Sequence, residues 1–249
     1  LDYVLLTHVH LDHAGATADV LDAYPGARAW CHETGRRHLV DPSRLWEGSR
    51  QVLGTTAEVY GEPRPVPAAA LADDDELAAR GVRVVPTPGH AAHHASFAHA
   101  DTLFVGEAAG TYLALPGGGW YLRPATPPRF VPEVALASLA RLLALEPRPR
   151  RVAFAHHGCL EGRTGELLEA ARDQLRLWVE VARRCAARDP GAAPEALVAA
   201  CLETLAAADA RFARRGELPP DIQARELQFT RQSLRGILGA VSVGQDRAA

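Results

Sequence analysis

The sequence predicts a layered α/β protein that ends in an all-helical region. Up to about residue 158, short apolar runs of strand length alternate with segments of helical period. Several of these runs end directly in histidine or glutamate, as strands do when their ends carry a site at one sheet edge. After about residue 163, Ala, Leu, Arg and Glu dominate at helical spacing. We therefore predict an α/β domain over residues 1–162 and a helical region over residues 163–249.

Composition and charge indicate which kinds of molecule the protein is expected to bind. Hydrophobic residues make up 47% of the 249 residues and charged residues 23%, as in a globular protein. The net charge is −3 and no basic patch is visible, which argues against nucleic acid. No apolar run reaches the roughly 18 residues of a membrane span. The four cysteines form no CxxC pair, which favours free thiols in a reducing cytoplasm. We expect a cytoplasmic protein that acts on a small molecule.

The start of the chain is unusual for a product of translation. The whole sequence contains no methionine, and its first residue, Leu1, lies at the edge of a predicted strand. We expect that the sequence lacks its original N-terminal part or was processed.

The elements follow from apolar runs and from the residues that stop them. A four-residue apolar run opens the chain as a buried strand, and Pro25-Gly26 stops the first helix. The predicted strands cover residues 3–6, 27–31, 82–86, 96–99, 102–105 and 152–155. The predicted helices cover residues 16–23, 32–40, 42–53, 166–188, 194–214 and 219–238. The acidic run over residues 73–76 is interpreted as loop or solvated surface.

The stretch that directly follows the first strand carries the clearest chemistry. His8, His10, Asp12 and His13 fall within six positions. Neutral imidazole and carboxylate are ligands for zinc, iron or manganese, and a short loop at a strand end can turn all four toward one point. A histidine-rich surface loop is the alternative, but further histidines recur at later strand ends.

Those later strand ends supply more donors of the same type. The strand over residues 82–86 leads to His90, the strand over residues 102–105 leads to Glu107, and the strand over residues 152–155 leads to His156-His157. Strand ends at one edge of a layered α/β sheet converge in space. The recurrence therefore predicts one shared metal site. His93 and His94 are expected to support it.

At this point the sequence resembles a known family. The run Thr7 to His13 is similar to the first metal-binding motif of the metallo-β-lactamase superfamily, and the segments around His90, Glu107 and His156 resemble its later motifs in the right order. The resemblance covers residues 1–158 and is strongest to hydrolases near the hydroxyacylglutathione hydrolase group. It implies a four-layer αββα sandwich, here without the strands that precede the first motif in the family.

The resemblance also implies the ligand set. His8, His10 and His90 would hold a first metal, while Asp12, His13 and His156, or alternatively His157, would hold a second. Glu107 stands where the family has a bridging aspartate, and it is longer by roughly 1.5 Å. The implied cofactors are two divalent metal ions, Zn²⁺ in the first place, with iron or manganese as alternatives.

The implied reaction is hydrolysis of an ester, thioester or lactone by a metal-bound hydroxide, with Asp12 as the catalytic residue that orients the nucleophile and moves a proton. Because Glu107 stands where the family has an aspartate, a mononuclear iron dioxygenase of the persulfide-oxidising kind on the same fold is an alternative. Phosphodiester cleavage is disfavoured by the acidic balance. A non-catalytic metal-binding relative is the remaining alternative.

Residues 110–130 form a candidate substrate wall. Tyr112 and Trp120 offer aromatic faces there, and Arg123 offers a partner for an anionic group. A structured loop that only packs on the sandwich is an equally good interpretation. The helical region is expected either to cover the sandwich or to form a homodimer contact.

Overall fold

A computed structural model describes residues 1–128 and 130–246, which fall into two compact units. The first unit consists of residues 1–86 and 93–100, and the second of residues 87–92 and 101 onward. The C-terminal helices thus belong to the same compact unit as the strands just before them. The domain boundary at residue 162 stays a prediction, and the last three residues of the predicted helical region lie outside the described residues.

The first unit combines two strand pairs with short helices. Strands β1 and β2 pair in parallel, and β3 and β4 pair antiparallel. In chain order the elements are β1 (Tyr3–Leu5), α1 (Leu11–Ala14), α2 (Thr17–Ala23), β2 (Arg28–Trp30), α3 (Glu33–Val40), α4 (Ser43–Leu53), α5 (Thr55–Tyr60), α6 (Asp74–Ala79), β3 (Val82–Pro86) and β4 (Ala95–His99).

The β1–β2 pair is buried on both faces. On one side Leu6 clusters with Leu21 of α2 and Leu39 of α3. On the other side Trp30 clusters with Phe97 of β4, and their rings meet edge to face with centroids 5.2 Å apart. A parallel pair covered on both faces requires apolar residues at successive positions. This explains the uninterrupted apolar run at the start of the chain.

The acidic run differs from the loop that was predicted. Asp73 accepts a hydrogen bond from the Glu76 backbone N–H at 2.9 Å, and the Glu76 side chain accepts from Asp73, so the two form a capping box for α6. Asp74 accepts from the Trp30 indole N–H at 2.7 Å. The run is exposed as expected, but its carboxylates begin a helix and bind the indole.

Among the described residues, the second unit contains five strands, with one helix between the third and fourth strands and the other helices after the fifth. Strand β5 pairs in parallel with β8, which pairs antiparallel with β9, and β6 and β7 form an antiparallel hairpin. The hairpin occupies part of the segment predicted as a loop or wall. In chain order the elements are β5 (Thr102–Gly106), β6 (Thr111–Ala114), β7 (Trp120–Arg123), α7 (Pro132–Leu143), β8 (Arg151–Phe154), β9 (Cys159–Glu161), α8 (Thr164–Arg188), α9 (Pro194–Ala208), α10 (Ala210–Ala213) and α11 (Pro220–Asp246).

The C-terminal helices match the predicted ones except near residue 209 and at the end of α11, which runs to Asp246 rather than to about residue 238. The helix predicted over residues 194–214 is interrupted there, because Asp209 ends α9 and caps α10. Its carboxylate accepts hydrogen bonds from the backbone N–H groups of Arg211 and Phe212, both at 3.0 Å. Within residues 1–128 and 130–246, no helix combines the length and the apolar character needed to cross a membrane.

Asp209 also joins the helices to each other. Its second carboxylate oxygen accepts from the Trp178 indole N–H at 2.7 Å and from the Gln174 amide at 2.8 Å, both on α8. The residue is only 5% exposed. Buried donors that lose their acceptor cost more than the bond itself contributed. Asp209 is therefore expected to be one of the least replaceable residues of the helical region.

We expect Asp209→Ala to lower the free energy of unfolding by about 3 kcal/mol, because it removes a helix cap and leaves two buried side-chain donors unsatisfied. Urea unfolding followed by circular dichroism measures the change. The matched control is Asp41→Ala, since Asp41 is exposed and accepts one backbone bond, from Ser43 at 3.1 Å. The control should lose much less stability than Asp209→Ala, because water replaces the lost acceptor at an exposed position. Equal losses in the two variants would contradict the assigned role.

Candidate metal centre

The histidine-rich loop after β1 is held at two backbone positions. The Thr7 carbonyl accepts from the Ala95 N–H at 2.8 Å, which ties the loop to β4. The Val9 N–H donates to Nε2 of His93 at 3.1 Å. The chain then enters α1, where the His13 and Ala14 N–H groups donate to the His10 carbonyl. The donors of this motif therefore project from a fixed backbone.

His8 and His10 direct nitrogen atoms at each other. Nε2 of His8 lies 2.9 Å from Nδ1 of His10, and Nδ1 of His8 lies 3.1 Å from the Thr7 hydroxyl. Two nitrogen ligands of a tetrahedral zinc, each about 2.0–2.1 Å from the ion, lie about 3.3 Å apart. His8 is fully buried. Two converging imidazole nitrogens in a buried position fit the edge of a metal coordination shell.

Asp12 and His13 lie next to that pair on α1. The His13 ring centroid is 4.2 Å from that of His8, and Nε2 of His13 is 3.4 Å from a carboxylate oxygen of Asp12. Asp12 is the exposed member of the motif. A carboxylate at the solvent edge beside imidazoles can both bind a cation and exchange a proton with water.

His93 and His94 surround the same cluster within the first unit. The His94 ring is fully buried, with its centroid 5.3 Å from that of His8. Burial, assisted by the nearby His10, His38, His32 and His94 rings, lowers the pKa of His93 to about 4. A neutral His93 can accept the Val9 N–H through Nε2, as observed. Its role is to hold the loop backbone.

The second unit contributes His90 through a turn that requires glycine. A Cβ atom at Gly89 would lie 2.9 Å from the Cβ of Ala135, so any other residue would push the turn away from α7. Nδ1 of His90 donates to the Ala125 carbonyl at 3.0 Å. In the neutral ring this places the lone pair on Nε2, which is the arrangement that orients a histidine ligand.

Glu107 and His156 meet in the second unit. Oε1 of Glu107 lies 3.1 Å from Nε2 of His156, and the Glu107 residue is 5% exposed. Glu107 follows β5 directly, and His156 follows β8, its parallel neighbour. The convergence of these two strand ends is as predicted. A carboxylate buried beside an imidazole fits a metal-ligand pair.

His157 is directed elsewhere. Its Nε2 accepts from the Arg225 guanidinium on α11 at 3.3 Å. Burial, together with Arg225, lowers the pKa of His157. Of the two histidines that the sequence left open as a ligand, His156 lies beside Glu107 and His157 lies against α11.

The three candidate substrate residues are all interior. Tyr112 stacks on Phe154 with centroids 5.1 Å apart, and the Arg211 guanidinium lies 3.8 Å from the centroid of the Trp120 ring. Arg123 forms a buried ion pair with Glu226 at 2.6 Å. These contacts are of the kind that the packing alternative describes. The substrate role of the three residues stays a prediction.

Each unit thus carries its own set of donors of metal-binding type. By residue type and grouping, the candidate ligands are His8, His10, Asp12, His13 and His94 in the first unit and His90, Glu107 and His156 in the second. The sequence missed Arg225, because an arginine on a long amphipathic helix has no distinguishing pattern. His93 was expected to support the site, but its hydrogen bond to the Val9 N–H was not foreseen.

The chain is similar in sequence to a known superfamily and to two known proteins. A sequence model of the Metallo-beta-lactamase superfamily matches residues 1–156. The chain is 32% identical over 167 residues to the Metallo-beta-lactamase fold-containing protein ST1585 of Sulfurisphaera tokodaii, covering 64% of this chain and 61% of that protein. It is 31% identical over 155 residues to Hydroxyacylglutathione hydrolase of Xylella fastidiosa, covering 61% of this chain and 45% of that protein. The chain therefore spans less than two thirds of either relative.

Solved structures resemble the chain as well. The crystal structure of ST1585 from Sulfolobus tokodaii aligns with a TM-score of 0.57 at 30% identity, covering 70% of this chain and 67% of that one. The metallo-beta-lactamase family protein TTHA1429 from Thermus thermophilus aligns with a TM-score of 0.60 at 21% identity, covering 98% of this chain and 75% of that one. The second likeness concerns the fold alone.

We expect stability to fall as the pH drops from about 6.5 toward 4, because the unfolded chain protonates His93 in that range while the folded chain does not. His93→Gln keeps an acceptor near the position of Nε2 but does not titrate, so this part of the pH dependence should disappear. Urea unfolding from pH 4 to pH 8 measures it. His93→Leu is the matched control, which should also lose the slope and be less stable at pH 8 by about 1–2 kcal/mol. An unchanged slope in both variants would refute the assignment.

Proposed function

Because the chain belongs to the metallo-β-lactamase superfamily, we propose that it is a metal-dependent hydrolase that cleaves an ester, thioester or lactone of a small molecule. The observation that carries the proposal is the pair of converging imidazole nitrogens of His8 and His10 at 2.9 Å, with Asp12 and His13 on the next helical turn. The hydrolase name of the Xylella relatives supports hydrolysis over oxidation. A cytoplasmic location and a homodimer stay predictions.

The ligand assignment is part of the proposal. His8, His10 and His90 would hold one metal, and Asp12, His13 and His156 a second, with Glu107 as a further carboxylate ligand to one or both. Zn²⁺ is the proposed ion, because imidazole and carboxylate ligands suit it. This set rests on the family motifs and on the donor types that each unit carries.

Two divalent metals, when bound, lower the pKa of a water molecule toward about 7 and stabilise negative charge on the substrate carbonyl or phosphoryl oxygen. The chain's own residues then divide the remaining work. Asp12, exposed at the edge of α1, orients the attacking water and takes up its proton. His93 and the Ala125 carbonyl hold the loop and the His90 ring in place.

A mononuclear iron dioxygenase is the second candidate, and the specific observation that favours it is Glu107. Glutamate at the bridging position is longer than aspartate by roughly 1.5 Å, so the second site can differ in geometry from a dinuclear centre. One bound iron per chain with oxygen consumption supports this candidate. Two bound zinc ions with ester or thioester cleavage support the hydrolase.

We expect about two zinc ions per chain and hydrolysis of some members of an ester, thioester and lactone panel. His8→Ala should lose bound zinc and at least about a hundredfold in kcat/KM, because a metal contributes several kcal/mol to charge stabilisation. Elemental analysis and initial rates measure both. His99→Ala, at the exposed end of β4, is the control and should match the wild type. A folded wild-type sample with no bound metal would rule out both candidates.

Glu107→Gln replaces a carboxylate by a neutral amide of the same size, so we expect one of the two zinc ions to bind at least about tenfold more weakly. Competition with a chromophoric chelator measures the two dissociation constants. Glu133→Gln is the control, because Glu133 is exposed on α7 with a loose ion pair to Arg183 at 3.7 Å. Unchanged binding in Glu107→Gln would remove Glu107 from the ligand set.

A further inference from the structure

The turn that carries His156 contains a residue in an unfavourable backbone conformation. His157 has a φ of +67°, in the left-handed region that a Cβ atom disfavours. The turn joins β8 to β9 and is closed by the Phe154 N–H, which donates to the Gly158 carbonyl at 3.0 Å. A non-glycine residue persists in that region only where its surroundings hold it there. Contacts with neighbouring residues are therefore expected to hold His157 in this conformation.

The C-terminal helix supplies that contact. Nη2 of Arg225 on α11 donates to Nε2 of His157 at 3.3 Å across 68 residues of sequence. The contact fixes the ring of His157 toward α11. His156, one residue earlier, is then directed to the other side, where its Nε2 lies 3.1 Å from Glu107.

Arg225 is itself held by a buried carboxylate. Its Nη2 lies 3.5 Å from Oε1 of Glu226, which is 1% exposed. The other oxygen of Glu226 accepts from Nε of Arg123 on β7 at 2.6 Å. The Arg123 guanidinium in turn lies over the Phe229 ring, 5.3 Å from its centroid. The Arg225 side chain, which is 35% exposed, thus also lies beside a carboxylate that belongs to a buried ion pair.

We propose that Arg225 is a positioning residue for the last metal ligand: by holding His157 in its left-handed conformation, it directs His156 at Glu107. The inference rests on the proposed function, because it assigns His156 as a ligand. It makes α11 a part of the metal centre, although the residues of α11 with this role are not ligands. Partners that orient a ligand from outside the coordination shell commonly change metal affinity by 10–100-fold when they are removed.

The test is Zn²⁺ affinity of the full chain, measured by competition with a chromophoric chelator. Arg225→Ala should weaken one of the two zinc sites about tenfold. Arg225→Lys keeps the charge and the stem, so it should recover part of the loss and serves as the second variant if Ala disturbs α11. Arg235→Ala is the matched control on the same helix, where Arg235 pairs with the exposed Glu195 at 2.8 Å, and its affinity should equal that of the wild type.

A double-mutant cycle shows whether the effect passes through His157. Asn adopts the left-handed conformation without a partner, although it is too short to accept from Arg225. His157→Asn should therefore keep most of the zinc affinity, and Arg225→Ala should cause no loss in that background. A loss of about tenfold from Arg225→Ala in the His157→Asn background would overturn the proposed route through His157.

His156→Ala separates this inference from the proposed function. If His156→Ala loses zinc while Arg225→Ala binds it as the wild type does, the positioning role is refuted and the hydrolase proposal stands. If His156→Ala binds both zinc ions normally, the ligand assignment fails and the positioning role fails with it. The Co²⁺-substituted protein gives a second readout, since a displaced ligand changes the visible absorption of the metal in Arg225→Ala but not in Arg235→Ala.

Discussion

The two-sided burial of the β1–β2 pair is the constraint on which the candidate metal-binding motif from His8 to His13 depends. The strands are three residues long, and their hydrogen bonds alone could not hold them. Helices α2 and α3 cover one face, and β3 and β4 cover the other. Because the loop that begins at Thr7 leaves directly from this pair, the positions of His8 and His10 are set by apolar packing several residues away.

In the second unit, an ion pair and hydrogen bonds, rather than apolar packing, fix the orientation of the elements. Its buried Arg123–Glu226 pair is costly to desolvate, and such pairs add little to stability compared with apolar packing. What the pair provides is a defined orientation for the first turns of α11. Asp209 does the same for α10 through four hydrogen bonds to one side chain. Directional contacts place these helices where apolar contacts would allow them to slide.

Sequence patterns were sufficient for most elements and for the strand ends at which the candidate donors lie, because both depend on short-range signals. The run from His8 to His13 and the donors at His90, Glu107 and His156 each follow an apolar strand, and that local pattern predicts where they lie. The hairpin of β6 and β7 was missed, since glycines and prolines around it also fit a loop. The pairing of Arg123 with Glu226 was not predicted, because the two residues are 103 positions apart. Pairing over such distances leaves no trace in local composition.

The contact between Arg225 and His157 has a consequence for the order of biosynthesis. The ribosome adds 68 residues between the two partners, which at about 5–20 residues per second takes about 3–14 seconds. During that interval the nascent turn around His156 already exists, and the helix that restrains it has yet to be made. The proposed ligands from His8 to His156 have all been made by then, but His157 lacks the contact proposed to position its neighbour. The proposed positioning of His156 thus forms later than the ligands themselves.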